Sequence, residues 1–227
     1  MNSTAIVFGN YAQDYDNERR FLIPCYDAFY EAIVREALKN PNATSILDIG
    51  AGTGLLSAFL LPYFESASFT LIDYAPEMLS VARKRFAAKL CQFEFIAQDY
   101  LLFEYFTTYD LVVSSLSIHH LDNLQKMILF HRVYQMLRPG GLFILGDLAL
   151  AEDEQTEQET QRLWSEFINK SPLDAVAKCN AHERIALDMP AKISELTAFF
   201  QYSGFANVQL SFQYRNFTVF TCLKSNL

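Results

Sequence analysis

Residues 45–60 read SILDIGAGTGLLSAFL: an apolar run, then glycine at 50, 52 and 54, then a second apolar run that continues as a helix. A chain that passes from strand to helix through so many glycines turns sharply and lays bare backbone against a ligand, because a Cβ would intrude there. The segment predicts a nucleotide-type cofactor against Gly50, Ala51, Gly52 and Gly54, at the end of a strand over residues 45–49.

Two details narrow the cofactor. The dinucleotide fingerprint puts its third glycine where Leu55 stands here. Asp48 sets a carboxylate near the strand end, where it repels a pyrophosphate and attracts the ammonium group of an amino-acid cofactor. Twenty-one residues after Gly52, a second run ends at Asp73 in LIDYAPEML, placed to accept from both ribose hydroxyls, with Tyr74 and Met78 following. Next, Gln98-Asp99-Tyr100 offers an acceptor for an adenine amine and a ring to stack on it. The run YDLVVSSLSIHHL, residues 109–121, ends in small polar residues, Ser115 among them, beside the switch point where open α/β sheets hold ligands.

The pattern extends along the chain. Runs at 45–49, 69–73, 93–96, 111–114 and 142–145 alternate with helical patterns, as βαβ units and a parallel sheet require. Pro76 opens one helix, and Arg138-Pro139-Gly140-Gly141 is expected to end another and turn the chain into the next strand. Ahead of this core, Tyr26, Phe29, Tyr30, Ile33, Val34 and Ala37 form one helix face, while residues 1–20 show no periodicity. Past Asp147, the acidic AEDEQTEQETQRLW leads into helical patterns around Leu163, Phe167 and Ile168, an inserted helical edge and not a linker. Ile193, Leu196 and Phe200 predict a last helix. The runs 208–214 and 217–223, split by Arg215-Asn216, predict an antiparallel hairpin.

With 227 residues, 51% hydrophobic and 19% charged, the chain supports one sizeable core. A net charge of −8 repels nucleic-acid backbones. No apolar run reaches the ~20 residues that span a bilayer, and MNSTAIVFGNYAQDYDNERR has no signal-peptide pattern. The expectation is a cytoplasmic protein with a small-molecule substrate and neither nucleic-acid nor membrane partners, monomer or homodimer being left open. Cys25, Cys91, Cys179 and Cys222 are scattered, so no metal site is expected, and buried free thiols are.

Taken together, LDIGAGTG, the Asp73 acid, the QDY acid, SSLSIHHL and RPGG resemble the class I S-adenosylmethionine (SAM)-dependent methyltransferases of small-molecule type. The resemblance covers residues 45–147 and the closing hairpin. It implies a Rossmann-like, doubly wound, mostly parallel seven-stranded sheet with an antiparallel C-terminal hairpin and an inserted helical lid. It implies SAM as cofactor and S-adenosylhomocysteine (SAH) as product, with Gly50, Gly52 and Gly54 lining the cofactor, Asp48 facing its methionine end, Asp73 on the ribose and Asp99 on the adenine. One methyltransferase domain over 1–227 then divides into cofactor-covering helices (1–44), cofactor core (45–147), lid (148–190) and last helix with hairpin (191–227).

RRFLIPCYDAFY, residues 19–30, is similar to the cofactor-covering region of carboxy-SAM synthases, where an aromatic at the Tyr26 position contacts SAM. Arg20 and Tyr26 become candidates on that ground. Modification of SAM itself, or SAM binding without catalysis, stands as an alternative to methyl transfer.

His119 and His120 are the candidate catalytic pair, since imidazole takes protons near neutral pH. Adjacent residues in an extended segment point opposite ways, so at most one of the two is expected to face the site. Asp147, at a strand end, and Trp164, His182, Glu183 and Arg184, in the inserted region, are acceptor-side candidates by location. Phe199, Phe200 and Phe205 read as core.

Overall fold

Along a strand covered on both faces, alternate side chains must serve two different apolar layers. In the computed structural model, which describes residues 15–104 and 107–226, Ile46, Phe69, Leu71, Val113 and Ile144 enter one layer. Leu47, Ile49, Ile72, Val112 and Phe143 enter the other.

The strands are β1 (Ser45–Ile49), β2 (Ser68–Asp73), β3 (Phe93–Ala97), β4 (Tyr109–Ser115), β5 (Leu137–Leu148), β6 (Asn207–Tyr214) and β7 (Phe217–Leu223). They form one sheet in the order β3-β2-β1-β4-β5-β7-β6. Strands β1 to β5 pair in parallel, and β7 runs antiparallel to both β5 and β6. The order reverses between β1 and β4, which opens a crevice at their carboxyl ends.

The helices are α1 (Tyr15–Leu22), α2 (Tyr26–Ala37), α3 (Leu55–Leu60), α4 (Pro76–Arg85), α5 (Asn123–Met136), α6 (Glu154–Lys170), α7 (Ala175–Ile185) and α8 (Ile193–Tyr202). Phe29, Tyr30 and Ile33 of α2 fill the first layer, and Phe130 and Val133 of α5 with Phe200 of α8 fill the second. None of the helices among the described residues is long and apolar enough to cross a membrane.

Three expectations need correction. Residues 15–22 are helical although no apolar period marks them, and Arg19 is the one buried side chain described there. This helix is held by polar ties, Thr53 Oγ1 donating to Asp16 at 2.6 Å and Trp164 Nε1 donating to the Leu22 carbonyl at 2.7 Å. Arg138 to Gly141 lies inside β5, not before it. There Gly140 takes φ +76°, and the pairing steps from Tyr109–Leu137 to Leu111–Leu142, so the extra β5 residues are absorbed as a bulge. The four thiols are free, but among them only Cys222 is fully buried, while Cys91 and Cys179 are exposed.

Candidate active site

After β1 the chain enters the left-handed region three times, at Gly50 (φ +66°), Gly52 (+55°) and Gly54 (+73°). The amides of Gly50 and Ala51 donate to the Ile72 carbonyl at 2.8 and 3.1 Å, which seats the loop on β2. Asp73 then clamps it: its Oδ2 accepts from the Gly52 amide and its Oδ1 from the Ala75 amide, both at 2.8 Å. Burial raises the Asp73 pKa, and these backbone donors work against that rise. Each carboxylate oxygen keeps acceptor capacity for a ribose hydroxyl.

These elements wall a cavity of about 910 Å³ at the carboxyl ends of β1, β2 and β4. Of the residues expected from sequence, it is lined by Gly50, Ala51, Gly52, Asp73, Tyr74, Met78, Asp99, Tyr100, Ser115 and His120. Gly50 is required sterically, since a Cβ there would lie 1.9 Å from Ser117 Oγ. Asp99 Oδ1 accepts from the Leu101 amide at 2.8 Å, which shapes the turn carrying the Tyr100 ring.

Other candidates lie off this wall. Gly54 leaves its room to the Phe86 ring, 2.7 Å from where a Cβ would stand, so it serves the packing of α4. Asp48 is buried beneath the loop, where Ser57 Oγ donates to its Oδ2 at 2.7 Å. Its Oδ1 has no hydrogen-bond partner among the described residues, and burial pushes its pKa up to about 7. An orphaned buried carboxylate oxygen under the glycine loop fits a cationic cofactor. Tyr26 is core, its ring 4.9 Å from that of Tyr30, and Arg20 is a surface residue paired with Asp27 at 2.9 Å.

Arg19 reaches the cavity in place of Arg20, and donates to the Tyr30 hydroxyl at 2.6 Å. Arg20, the next residue, points ~100° round the helix from it. Thr53, Leu55, Leu56, Ala75, Leu116, Ser117 and Leu121 complete the wall. Leu116 adopts φ +49°, unusual for a branched residue, where β4 ends.

The two histidines separate. His119 is buried, with Nδ1 on Asp147 and Nε2 3.4 Å from Asp188, and its amide donates to Asp147 Oδ2 at 2.9 Å. Burial alone lowers its pKa, but the two carboxylates outweigh that and raise it to about 10. His120 sits with Nδ1 3.0 Å from Asp188 Oδ1, and burial together with the neighbouring His119 lowers its pKa. His119, His120 and Asp188 bring ligand-type atoms within 4.8 Å of one another, and the contacts they make are those of an ion-pair cluster.

A second cavity, about 560 Å³, adjoins the first and shares Arg19, Leu116 and His120 with it. Its remaining walls include Ile23, Leu148, Trp164, Arg184, Asp188 and Phe217. Trp164 and Arg184 are thus at this wall. His182 lines a further space between α6 and α7, and Glu183 is exposed. Asp188 was not foreseen, since nothing local marks an acid in a loop after a helix.

Sheet order, glycine loop and the acid at the end of β2 define a Rossmann-like cofactor-binding protein. Residues 46–141 match the family described as a methyltransferase domain. The carboxy-S-adenosyl-L-methionine synthase of Campylobacter lari is 25% identical over 187 residues, 81% of this chain and 79% of that protein. The malonyl-[acyl-carrier protein] O-methyltransferase of Neorickettsia risticii is 40% identical over 92 residues, 40% of this chain and 35% of that one. The crystal structure of N-methyltransferase NodS from Bradyrhizobium japonicum with SAH superposes with a TM-score of 0.69 at 18% identity, covering 99% of both chains. The chain spans 60%, 55% and 52% of the length of three further methyltransferase structures of the same fold. The chain thus carries a methyltransferase domain over residues 46–141, in the fold of the SAM-dependent methyltransferases.

Proposed function

We propose that the protein moves the SAM methyl group to a small-molecule acceptor held in the second cavity. The observation that carries this reading is the seam between the cavities, where Arg19, Leu116 and His120 belong to both walls. Methyl transfer is an in-line displacement on an already activated carbon, so the protein's main work is to hold donor and acceptor in register. In this reading Asp48 and the glycine loop take the methionine end, Asp73 the ribose, Asp99 and Tyr100 the adenine. Segment 148–190 acts as the lid and 1–44 as the cover, of which residues 1–14 lie outside the described ones. The acidic surface favours small acceptors over nucleic acid. Calorimetry with SAM, SAH and NADH, followed by SAH release in the presence of amines, phenols, carboxylates and thiols, tests it. Binding of the adenosyl compounds without NADH, and SAH release with at least one acceptor class, is expected.

Modification of SAM itself is supported by a different observation. Arg19 and Arg184 are buried cations on the second cavity's wall, where a carboxylate carried on the SAM methyl carbon would find countercharge. The mass of the nucleotide that copurifies with the protein separates the two readings.

A further inference from the structure

Resting on the methyl-transfer reading, we propose that Leu116 sets the size of the group transferred. Its side chain occupies the seam between the two cavities and leaves room there for a methyl group and not for a larger alkyl group.

Leu116 takes φ +49°, and among the described residues it is one of two other than glycine with positive φ. The second is Arg215, in the turn between β6 and β7. In the left-handed region a Cβ crowds the following carbonyl oxygen, so glycine is the usual occupant. The same chain uses glycine for this conformation at positions 50, 52 and 54.

The residues on either side impose the conformation. The Leu116 amide donates to the Gly146 carbonyl at 2.9 Å, which holds the chain against β5 up to that residue. Ser117 then lies so close to the glycine loop that a Cβ on Gly50 would stand 1.9 Å from its Oγ. In an extended strand, residues 116 and 118 would share a face. Here Leu116 packs on the first apolar layer and Ile118 is buried in the second, so the chain changes faces between them. Glycine would make that change without crowding, yet a branched side chain stands there. Strain of this kind collects where one side chain is needed in one place.

That place is the seam. Leu116 lines the cofactor cavity beside Gly50 and Ser115, and the second cavity beside Leu148, Trp164 and Phe217. Of the three residues shared by the two walls, Arg19 and His120 are polar and Leu116 is apolar. An in-line displacement puts sulfur, the transferred carbon and the acceptor atom on one line through this seam. The group on sulfur therefore has to fit beside the Leu116 side chain. The ladder bond before Leu116 and the Ser117 contact after it keep that side chain from backing away, and a close-packed wall of this kind resists one extra methylene.

Calorimetry with SAM, SAH and S-adenosyl-L-ethionine, in which an ethyl group replaces the transferred methyl, tests this without any acceptor. The wild type should bind the ethyl compound at least ~10-fold more weakly than SAM. Leu116→Gly and Leu116→Ala should each bring that ratio to within about threefold. Equal binding of SAM and the ethyl compound by the wild type, or an unchanged ratio in both variants, overturns the proposal. In urea, Leu116→Gly should unfold at a higher midpoint than Leu116→Ala, the reverse of the usual order. Both substitutions remove the branched side chain, and glycine alone relieves the backbone. A higher midpoint for Leu116→Ala overturns the claim that a strained backbone holds the side chain in the seam. Failure of the methyltransferase reading would show separately, as absence of SAM and SAH binding to the wild type.

Discussion

Around the cofactor cavity, polar contacts are made largely by backbone: Gly50 and Ala51 amides on the Ile72 carbonyl, and Gly52 and Ala75 amides on Asp73. Around the second cavity, the polar groups are side chains from segments far apart in the chain, Arg19 on α1, His120 after β4, Arg184 on α7 and Asp188 beyond it. A wall made of backbone demands that side chains be missing, so it writes glycines into the sequence. A wall made of side chains uses residues that look ordinary one at a time.

The largest effect expected from this contrast is at Gly50. Gly50→Ala places a methyl group 1.9 Å from Ser117 Oγ at a φ of +66°. SAH affinity should fall more than ~100-fold, equivalent to about 3 kcal/mol. Adding Ser117→Gly should restore part of it, leaving a strain of about 1–2 kcal/mol. Full binding by the single variant would break the claim that bare backbone builds the wall.

Asp73→Ala removes the clamp on both amides and the proposed ribose acceptors. With charge-assisted hydrogen bonds worth about 1.5–3 kcal/mol each, a loss of SAM affinity on the order of 100-fold is expected by calorimetry. Unchanged affinity would put the ribose elsewhere.

On the acceptor side, Trp164→Ala should leave SAH affinity within about threefold and yet destabilise the fold by roughly 2 kcal/mol in urea. Trp164 stacks edge-on to Phe217 at 5.4 Å and donates to the Leu22 carbonyl, but does not line the first cavity. A large loss of SAH binding would mean that the two cavities fold as one unit.

His119 makes the second region sensitive to pH. Folding raises its pKa from 6.5 to about 10, so the folded state holds the proton more tightly. That stabilisation is complete below about 6.5 and is lost as pH rises to about 10. The urea midpoint of the wild type should fall across this window, and His119→Gln should flatten the fall.

The smallest effect is expected at Arg20→Ala, within about 0.5 kcal/mol, because Arg20 pairs with Asp27 at the surface. Arg19→Ala, one residue earlier, should cost clearly more, since Arg19 is buried on Tyr30.

The strands at residues 45–49 and 217–223 agree with their sequence reading to the residue, because short apolar runs bounded by turn residues are local signals. The α1 helix escaped because it packs through Asp16, Arg19 and Leu22 backbone contacts and not through an apolar stripe. Tyr26 and Arg20, taken from a short family likeness, proved to be core and surface, since a likeness of a dozen residues does not carry helix phase.

By itself the sequence determined the alternating α/β architecture, the glycine turn and the acids at the ends of β1 and β2, all of which follow from spacing along the chain. Tertiary structure alone decided that Arg19 and not Arg20 faces inward, that His119 becomes a fixed cation while His120 borders both cavities, and that Asp188 joins them. The reason is physical: burial and charge pairing between residues 119–120 and 188 exist only once α7 and the end of β4 are brought together, and no local pattern encodes that meeting.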